Sequence, residues 1–240
     1  MSETALGERA HSLKESYTLA LEGATYDGSV ALLRGASVIA ERSLGAEDGS
    51  ASRAGRGEKL MPAVAACLEE AKVDRSELAR IVCGSGPGSF TSLRVAGSVA
   101  KGLASGLSVP LYAVSSLLLT VTGAKPPAPQ GEYLSVLDAM RGELYAARVV
   151  ITPEQDPHLD PPRIISAEEL HEIASMNSSV RVIGPGQQID AHPHARGVVP
   201  ILPSIVGAGS VDLASWEPDY GRLAEAQVRW EAAHGRPLAT

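Results

Sequence analysis

Short apolar runs separated by glycine turns dominate the first part of the chain. Residues 17–22 (Tyr-Thr-Leu-Ala-Leu-Glu), 29–33 and 37–44 are three such runs, broken at 23–28 and at Arg34-Gly35-Ala36. That pattern predicts an antiparallel meander. A Gly/Ser/Arg-rich loop follows at 45–57. The rhythm then changes, with Leu60, Met61, Val64, Cys67 and Leu68 on one face of a helix over 58–72. Pro62 stands near its start, where a missing N–H is tolerated. Asp74 opens a short helical turn, and Ile81-Val82-Cys83 end a buried strand. The loop Gly84-Ser-Gly-Pro-Gly88 can continue neither strand nor helix. Ser89 or Thr91 then offers an N-cap oxygen to a helix carrying Ala96, Val99, Ala100, Leu103 and Leu107 at helical spacing.

After a strand at 111–114 and a short helix capped by Ser115 or Ser116, the proline-rich stretch 125–131 makes the best internal boundary. The rhythm then starts again. Strands are expected at 133–138, 143–152, 163–165 and 180–183, with a helix over 167–175 capped by Ser166. Glu22 and Asp138 hold matching strand-end places, as do Gly86-Pro87-Gly88 and Gly184-Pro185-Gly186. The repeat predicts a duplicated α/β chain with two lobes and mixed sheets, as in the ribonuclease-H-like, actin-like ATPase superfamily. The expected division is a flexible extension at 1–16, an N-terminal lobe at 17–115, a C-terminal lobe at 116–221, and a helix and tail at 222–240. Within the last part, 203–214 reads as a helix, 216–220 as extended, and 223–234 as an amphipathic helix with Leu223, Ala226, Trp230 and Ala233.

Strand, glycine loop and capped helix are the parts of an anion site, because loop and first turn expose N–H groups. The other reading is a turn whose glycines only let the chain reverse. The loop lacks the Gly-Lys-Ser/Thr of a P-loop, and its third glycine comes one residue early for a dinucleotide fingerprint. The following helix is poor in side-chain volume: Gly97, Ser98, Ala100, Gly102, Ala104, Ser105 and Gly106. An interior helical glycine costs about 1 kcal/mol relative to alanine, so close approach of another backbone, either inside the fold or on a partner protein, is expected as compensation.

Composition narrows the function. A formal net charge of -7 over 240 residues, without a Lys/Arg run, argues against an autonomous nucleic-acid binder. Two distant cysteines in apolar settings, Cys67 and Cys83, read as buried free thiols of a reducing compartment. Residues 1–16 have no apolar core of a secretory signal, and no run is long enough to span a bilayer. A soluble cytoplasmic protein is expected. The six histidines show no i, i+4 pair, and His192-Pro-His194 reads as a solvated loop. Glu22 and Asp138 are the candidate cleft carboxylates, beside Thr25, Gly86 and Gly88. With no lysine near them in sequence, they read as a vestigial nucleotide cleft rather than a catalytic one.

One stretch carries a resemblance. Gly86-Pro-Gly-Ser-Phe-Thr-Ser-Leu-Arg-Val95, followed by Ala100-Lys-Gly-Leu-Ala104, resembles the hallmark of TsaB (YeaZ-type) proteins, Gly-Pro-Gly-Ser-Phe-Thr-Gly-Leu-Arg and Ala-Lys-Gly-Leu-Ala. Ser29-Val-Ala-Leu-Leu33, Glu58-Lys-Leu-Met-Pro62, Val114-Ser-Ser-Leu117, Leu137-Asp-Ala-Met-Arg-Gly-Glu-Leu-Tyr145 and Glu217-Pro-Asp-Tyr220 fall in the same order, so the likeness spans residues 17–220. Departures cluster near the cleft: Glu22-Gly-Ala-Thr25 for Asp-Thr-Ser-Thr, Arg56-Gly57 for His-Ser, Ser92 for glycine, and Met140 for arginine.

The resemblance implies a non-catalytic subunit that supports a TsaD-like threonylcarbamoyltransferase, together with a TsaE-like ATPase, in forming threonylcarbamoyladenosine beside the tRNA anticodon. It implies tRNA contact only through the complex, no membrane, no cofactor on this chain alone, and ATP and a metal on the TsaD-like partner. It also implies a homodimer when the chain is alone. The contact would use both helices of the first lobe, through Glu58, Leu60, Met61, Val64, Leu68, Leu93, Arg94, Gly97, Ala100, Lys101 and Ala104. The alternative is an ATP-dependent phosphotransferase, or a glycoprotease-like peptidase, of the same superfamily.

Overall fold

A computed structural model describes residues 15–45, 59–177, 179–222 and 233–235. Glu58, most of the predicted loop at 45–57 and most of the predicted helix at 223–234 lie outside them. The first sheet contains β1 (Tyr17–Glu22), β2 (Ser29–Arg34), β3 (Ser37–Ser43), β4 (Leu78–Gly84) and β5 (Leu111–Val114), in the order β3-β2-β1-β4-β5. β1, β2 and β3 form the expected meander, and β4 and β5 add parallel strands. Leu19, Leu21, Val30, Leu32, Ile81 and Cys83 share one core with α1 (Leu60–Ala71) and α2 (Phe90–Leu107). Ala20, Ala31, Leu33 and Val82 share a second. Alternate residues of each strand therefore serve different layers, as a sheet covered on both faces requires.

Cys67 and Cys83 are buried free thiols, as expected. Asp74 caps the turn Arg75–Glu77 with a reciprocal capping box. Ser89 and Ser115 hold the N-cap positions of α2 and of α3 (Ser116–Thr122), but neither side chain caps its helix. The Ser89 hydroxyl pairs with that of Ser92 at 3.1 Å instead.

The second sheet repeats the first. β6 (Gly131–Asp138) pairs antiparallel with β7 (Glu143–Ile151) and parallel with β10 (Val180–Gly184), as β1 does with β2 and β4. β9 (Arg163–Ser166) joins β7 as β3 joins β2, and β11 (Ile189–Asp190) joins β10 as β5 joins β4. The two-residue β8 (His158–Leu159) pairs with β7 and adds a short edge. α4 (Ala167–Met176) is capped by the Ser166 hydroxyl, which accepts from the Glu169 N–H. After the second glycine loop the copies diverge, because only the first loop leads into a long helix.

The chain then returns to the first sheet. A 3₁₀ turn, Ala195–Ile201, and α5 (Leu202–Ala208) place Ala195, Val198, Ile201, Leu202 and Ile205 on Ala20, Ala31, Leu33 and Val82. The predicted helix over 203–214 is thus shorter and starts earlier. It ends at Gly209, whose φ of 98° lies outside helical space. Residues 211–220 run on without helix or strand.

A polar clasp holds this return. Glu41 on β3 accepts from Arg196 Nε at 2.7 Å and from Lys125 Nζ at 2.5 Å. The pairing holds its carboxyl at about 2, against the upward push of its partial burial. His194, nearly buried, lies 2.8 Å from the Arg196 guanidinium. Burial, with the Arg196 charge, pulls its imidazole down to about 4. Arg196→Met leaves Glu41 half-enclosed with only the exposed Lys125, at an expected cost of about 2 kcal/mol. A lower urea midpoint with an unchanged slope is the expected readout; an unchanged midpoint would remove the clasp from any stabilising role.

Candidate functional site

Two regions carry the residues singled out in the sequence: the cleft between the sheets, and the outer side of α1 and α2. The cleft encloses about 1250 Å³. Thr25, Gly88 and Asp138 line it, with Phe90, Tyr145 and Tyr220. Glu22 is not among its walls. The Glu22 side chain folds inward with no exposed surface, where Oε1 accepts from the Ala24 N–H at 2.5 Å and the Ser116 hydroxyl donates to the carboxylate at 3.0 Å. It occupies the space a side chain at Gly84 would need: a Cβ there would sit 1.9 Å from Oε2. Burial pushes this carboxyl up to about 7, against the opposing pull of the Ala24, Ser116 and Gly23 hydrogen bonds. The neighbouring Cys83 thiol is pushed up by the same burial, and further by the Glu22 charge.

Asp138 stands at the matching strand end but is exposed. Its Oδ1 accepts from the Met140 N–H at 2.7 Å, within a hairpin tip where Met140 and Arg141 both have positive φ. The duplication thus puts two acids in equivalent places and gives only one of them to the cleft. Among the described residues, no three His, Cys, Asp or Glu side chains converge as metal ligands do. Gly86 and Gly88 serve close packing. A Cβ on Gly88 would lie 2.3 Å from the Ala24 carbonyl oxygen, and one on Gly86 would lie 2.1 Å from that of Asp219. The sequence offers Ser116 only as a helix cap, and nothing in its spacing points to Glu22.

The helix residues divide by face. Leu60, Val64, Leu93, Gly97, Ala100 and Ala104 are buried within this chain, so they are not available to another molecule. Leu68 is half-buried against the same core, and Lys101 donates to the Trp216 carbonyl at 2.9 Å. Of the described candidates, Met61 and Arg94 are exposed. The small-residue face expected to meet a partner is therefore a packing face: Ala96, Ala100 and Ala104 meet the sheet, and Gly97 meets Pro218 and Trp216. A different stripe, Ser98, Gly102, Ser105 and Gly106, lies outside. A Cβ on Gly102 or Gly106 would touch nothing.

Residues 50–180 match the family model described as TsaD, tRNA N6-adenosine threonylcarbamoyltransferase. A Bacillus subtilis protein named tRNA threonylcarbamoyladenosine biosynthesis protein TsaB is 29% identical over 240 residues, 88% of this chain and 96% of the relative. The chain belongs to this family, in its TsaB (YeaZ-type) branch. An Escherichia coli protein of the same name is 31% identical over 129 residues, 54% of this chain and 53% of its own length. The solved structure of YeaZ from Pseudomonas aeruginosa superposes with a TM-score of 0.68 at 23% identity, covering 85% of this chain and 99% of that one. The fold is the duplicated, ribonuclease-H-like one of the actin-like superfamily, as the sequence predicted.

The two shifted buried groups make opposite contributions to stability. Glu22 titrates higher folded than unfolded, so its contribution falls as pH rises from 4.5 toward 7. His194 titrates lower folded than unfolded, so its contribution grows as pH rises from 4 toward 6.5. Wild-type stability should change little between pH 5 and 6.5. Glu22→Gln should become more stable across that interval and His194→Gln less stable, each by about 1–2 kcal/mol. Urea unfolding at both pH values checks the signs, and parallel slopes in the two variants would refute the assignment.

Proposed function

We propose that this chain is a non-catalytic subunit in the formation of threonylcarbamoyladenosine on tRNA. It docks a TsaD-like threonylcarbamoyltransferase on the outward side of α1 and α2. A TsaE-like ATPase joins the assembly, and the chain pairs with itself over the same face when alone. ATP and a metal belong to the TsaD-like partner, and tRNA is reached only through the complex. The family membership and the names of the curated relatives support the pathway. The observation that carries the docking role is the bare outer stripe of α2, where Gly102 and Gly106 leave open space. Helix backbones approach closely over such a stripe, and a standard interface of roughly 1,600 Å² in total suffices. The net charge of -7 fits contact with tRNA through a partner rather than directly.

The second reading is an ATP-dependent phosphotransferase or a glycoprotease-like peptidase, acting in the cleft. Its volume and the exposed Asp138 favour that reading. The inward fold of Glu22 opposes it, since a sealed carboxyl cannot share a ligand with Asp138 across the gap.

Two leucine substitutions separate the faces of α2. Gly102→Leu meets no neighbour and removes an interior helical glycine, so it should raise the chain's stability by about 0.5–1 kcal/mol. It should also abolish capture of the TsaD-like protein and shift the chain toward monomer. Gly97→Leu places its Cβ 3.0 Å from Pro218 Cγ, so it should instead destabilise the chain. Undiminished capture by Gly102→Leu would end the docking assignment. Calorimetry with ATP and magnesium should give no heat with the isolated chain; a saturable signal lost in Asp138→Ala would favour the enzyme.

A further inference from the structure

The Glu217-Pro-Asp-Tyr220 motif has no part in the proposed docking, yet it lies against the helix that does the docking. Residues 211–221 cross the first lobe lengthwise. Val211 N–H donates to the Leu111 carbonyl at 2.9 Å, and Val211, Leu213 and Trp216 join the core under α2. The Trp216 carbonyl accepts from Lys101 Nζ at 2.9 Å. Pro218 sits on Gly97, and the Asp219 N–H donates to the Ser85 carbonyl at 2.7 Å. The Tyr220 ring lies 4.5 Å from that of Phe90, and its carbonyl accepts from the Tyr145 hydroxyl on β7 at 3.0 Å.

Glycines make room for this path. A Cβ on Gly86 would meet Asp219, and one on Gly97 would meet Pro218. One on Gly221, where φ is +70°, would meet the Tyr145 ring at 2.4 Å. Phe90, Gly97 and Lys101 are spaced by seven and four residues, so they form one line along α2. Arg94, Ser98 and Ser105 lie next to that line on its solvent side.

We propose that residues 211–221 are a strap that positions the outward stripe of α2 for docking. The strap fixes the roll of α2 on the sheet through Gly97 and Lys101. Its far end is held by Tyr145 of the second lobe, so the setting of the docking helix depends on a contact outside the first lobe. Trp216, Pro218 and Tyr220 act on the partner through α2, as positioning residues. The docking element of this inference rests on the function proposed above; the mechanical element does not.

The test uses the full chain in three forms: Trp216→Ala, its conservative counterpart Trp216→Phe, and Gly221→Ala, which dislodges the far end away from the stripe. Amide hydrogen exchange across 94–107 should accelerate about tenfold or more in Trp216→Ala and Gly221→Ala. Affinity for the TsaD-like protein, measured well below melting, should fall about tenfold in both, with Trp216→Phe near wild type. Arg196→Met, destabilised on the opposite face of the sheet, should keep wild-type affinity. Wild-type exchange in both strap variants would overturn the proposal, as would faster exchange with undiminished affinity. An equal loss in Arg196→Met would also overturn it, because affinity would then track stability alone. If the wild-type chain does not bind the TsaD-like protein, the proposed function fails. The exchange rates then decide the strap by themselves.

Discussion

The structure turns on a backbone crossing that leaves no space for β-carbons. At the end of β1, Glu22 fills the gap left by Gly84, and Gly88 lies against the Ala24 carbonyl. Gly86 lies against that of Asp219, and a Cβ on Gly23 would sit 2.6 Å from that of Ala96. β1, the glycine loop, α2, α3 and residues 211–221 all meet within this volume. Each glycine loses about 0.5–1 kcal/mol of conformational entropy relative to alanine in regular structure. The cost is offset because this approach buries Leu93 and Leu117 completely between the lobes. The same crossing explains why the loop looks like an anion site. Both need backbone brought close without side chains, and the sequence cannot show whether the neighbour is a phosphate or the chain itself.

Much of the architecture was legible for simple reasons. The meander shows as apolar runs between glycine turns, and the duplication shows as paired strand-end acids and paired Gly-Pro-Gly loops. Thr18-Leu-Ala-Leu21 also carries a signal, since a run apolar on both parities needs a layer on each face. What it does not show is which segment supplies the second layer. That role falls to residues 195–208, far along the chain, in a 3₁₀ turn and a two-turn helix. Val198, Ile201 and Ile205 there lack a long periodic pattern, so nothing local marks them as core.

The candidate docking residues were legible as a helix pair but not by face. α2 carries several sets of small residues at different angles: Ala96, Ala100 and Ala104 toward the sheet, Gly97 toward Pro218, and Ser98, Gly102 and Gly106 toward solvent. Summed along the chain, they look like one small face. Phase separates them. Leu93 and Leu107 bracket the alanine line and mark it as the inner one, while Gly102 and Gly106 lie well around the helix from it. The distinction lies in the angular positions of these residues around α2, not in their number.

The two lobes diverged at their equivalent acids, and the divergence bears on where function resides. A pair of carboxylates can hold a cation between lobes only if both face the gap and both are charged. Glu22 fails the first condition: its side chain is sealed against Gly84 and Ser116, and the same burial pushes its carboxyl up to about 7. Asp138 alone faces the cleft, with one oxygen already bonded within its own turn. Keeping this carboxyl buried costs more as pH rises from 4.5 toward 7, and the hydrogen bonds from Ala24 and Ser116 offset part of that cost. The cleft therefore opens beside Asp138 and not beside Glu22, so the two lobes no longer present a matched pair of acids across it.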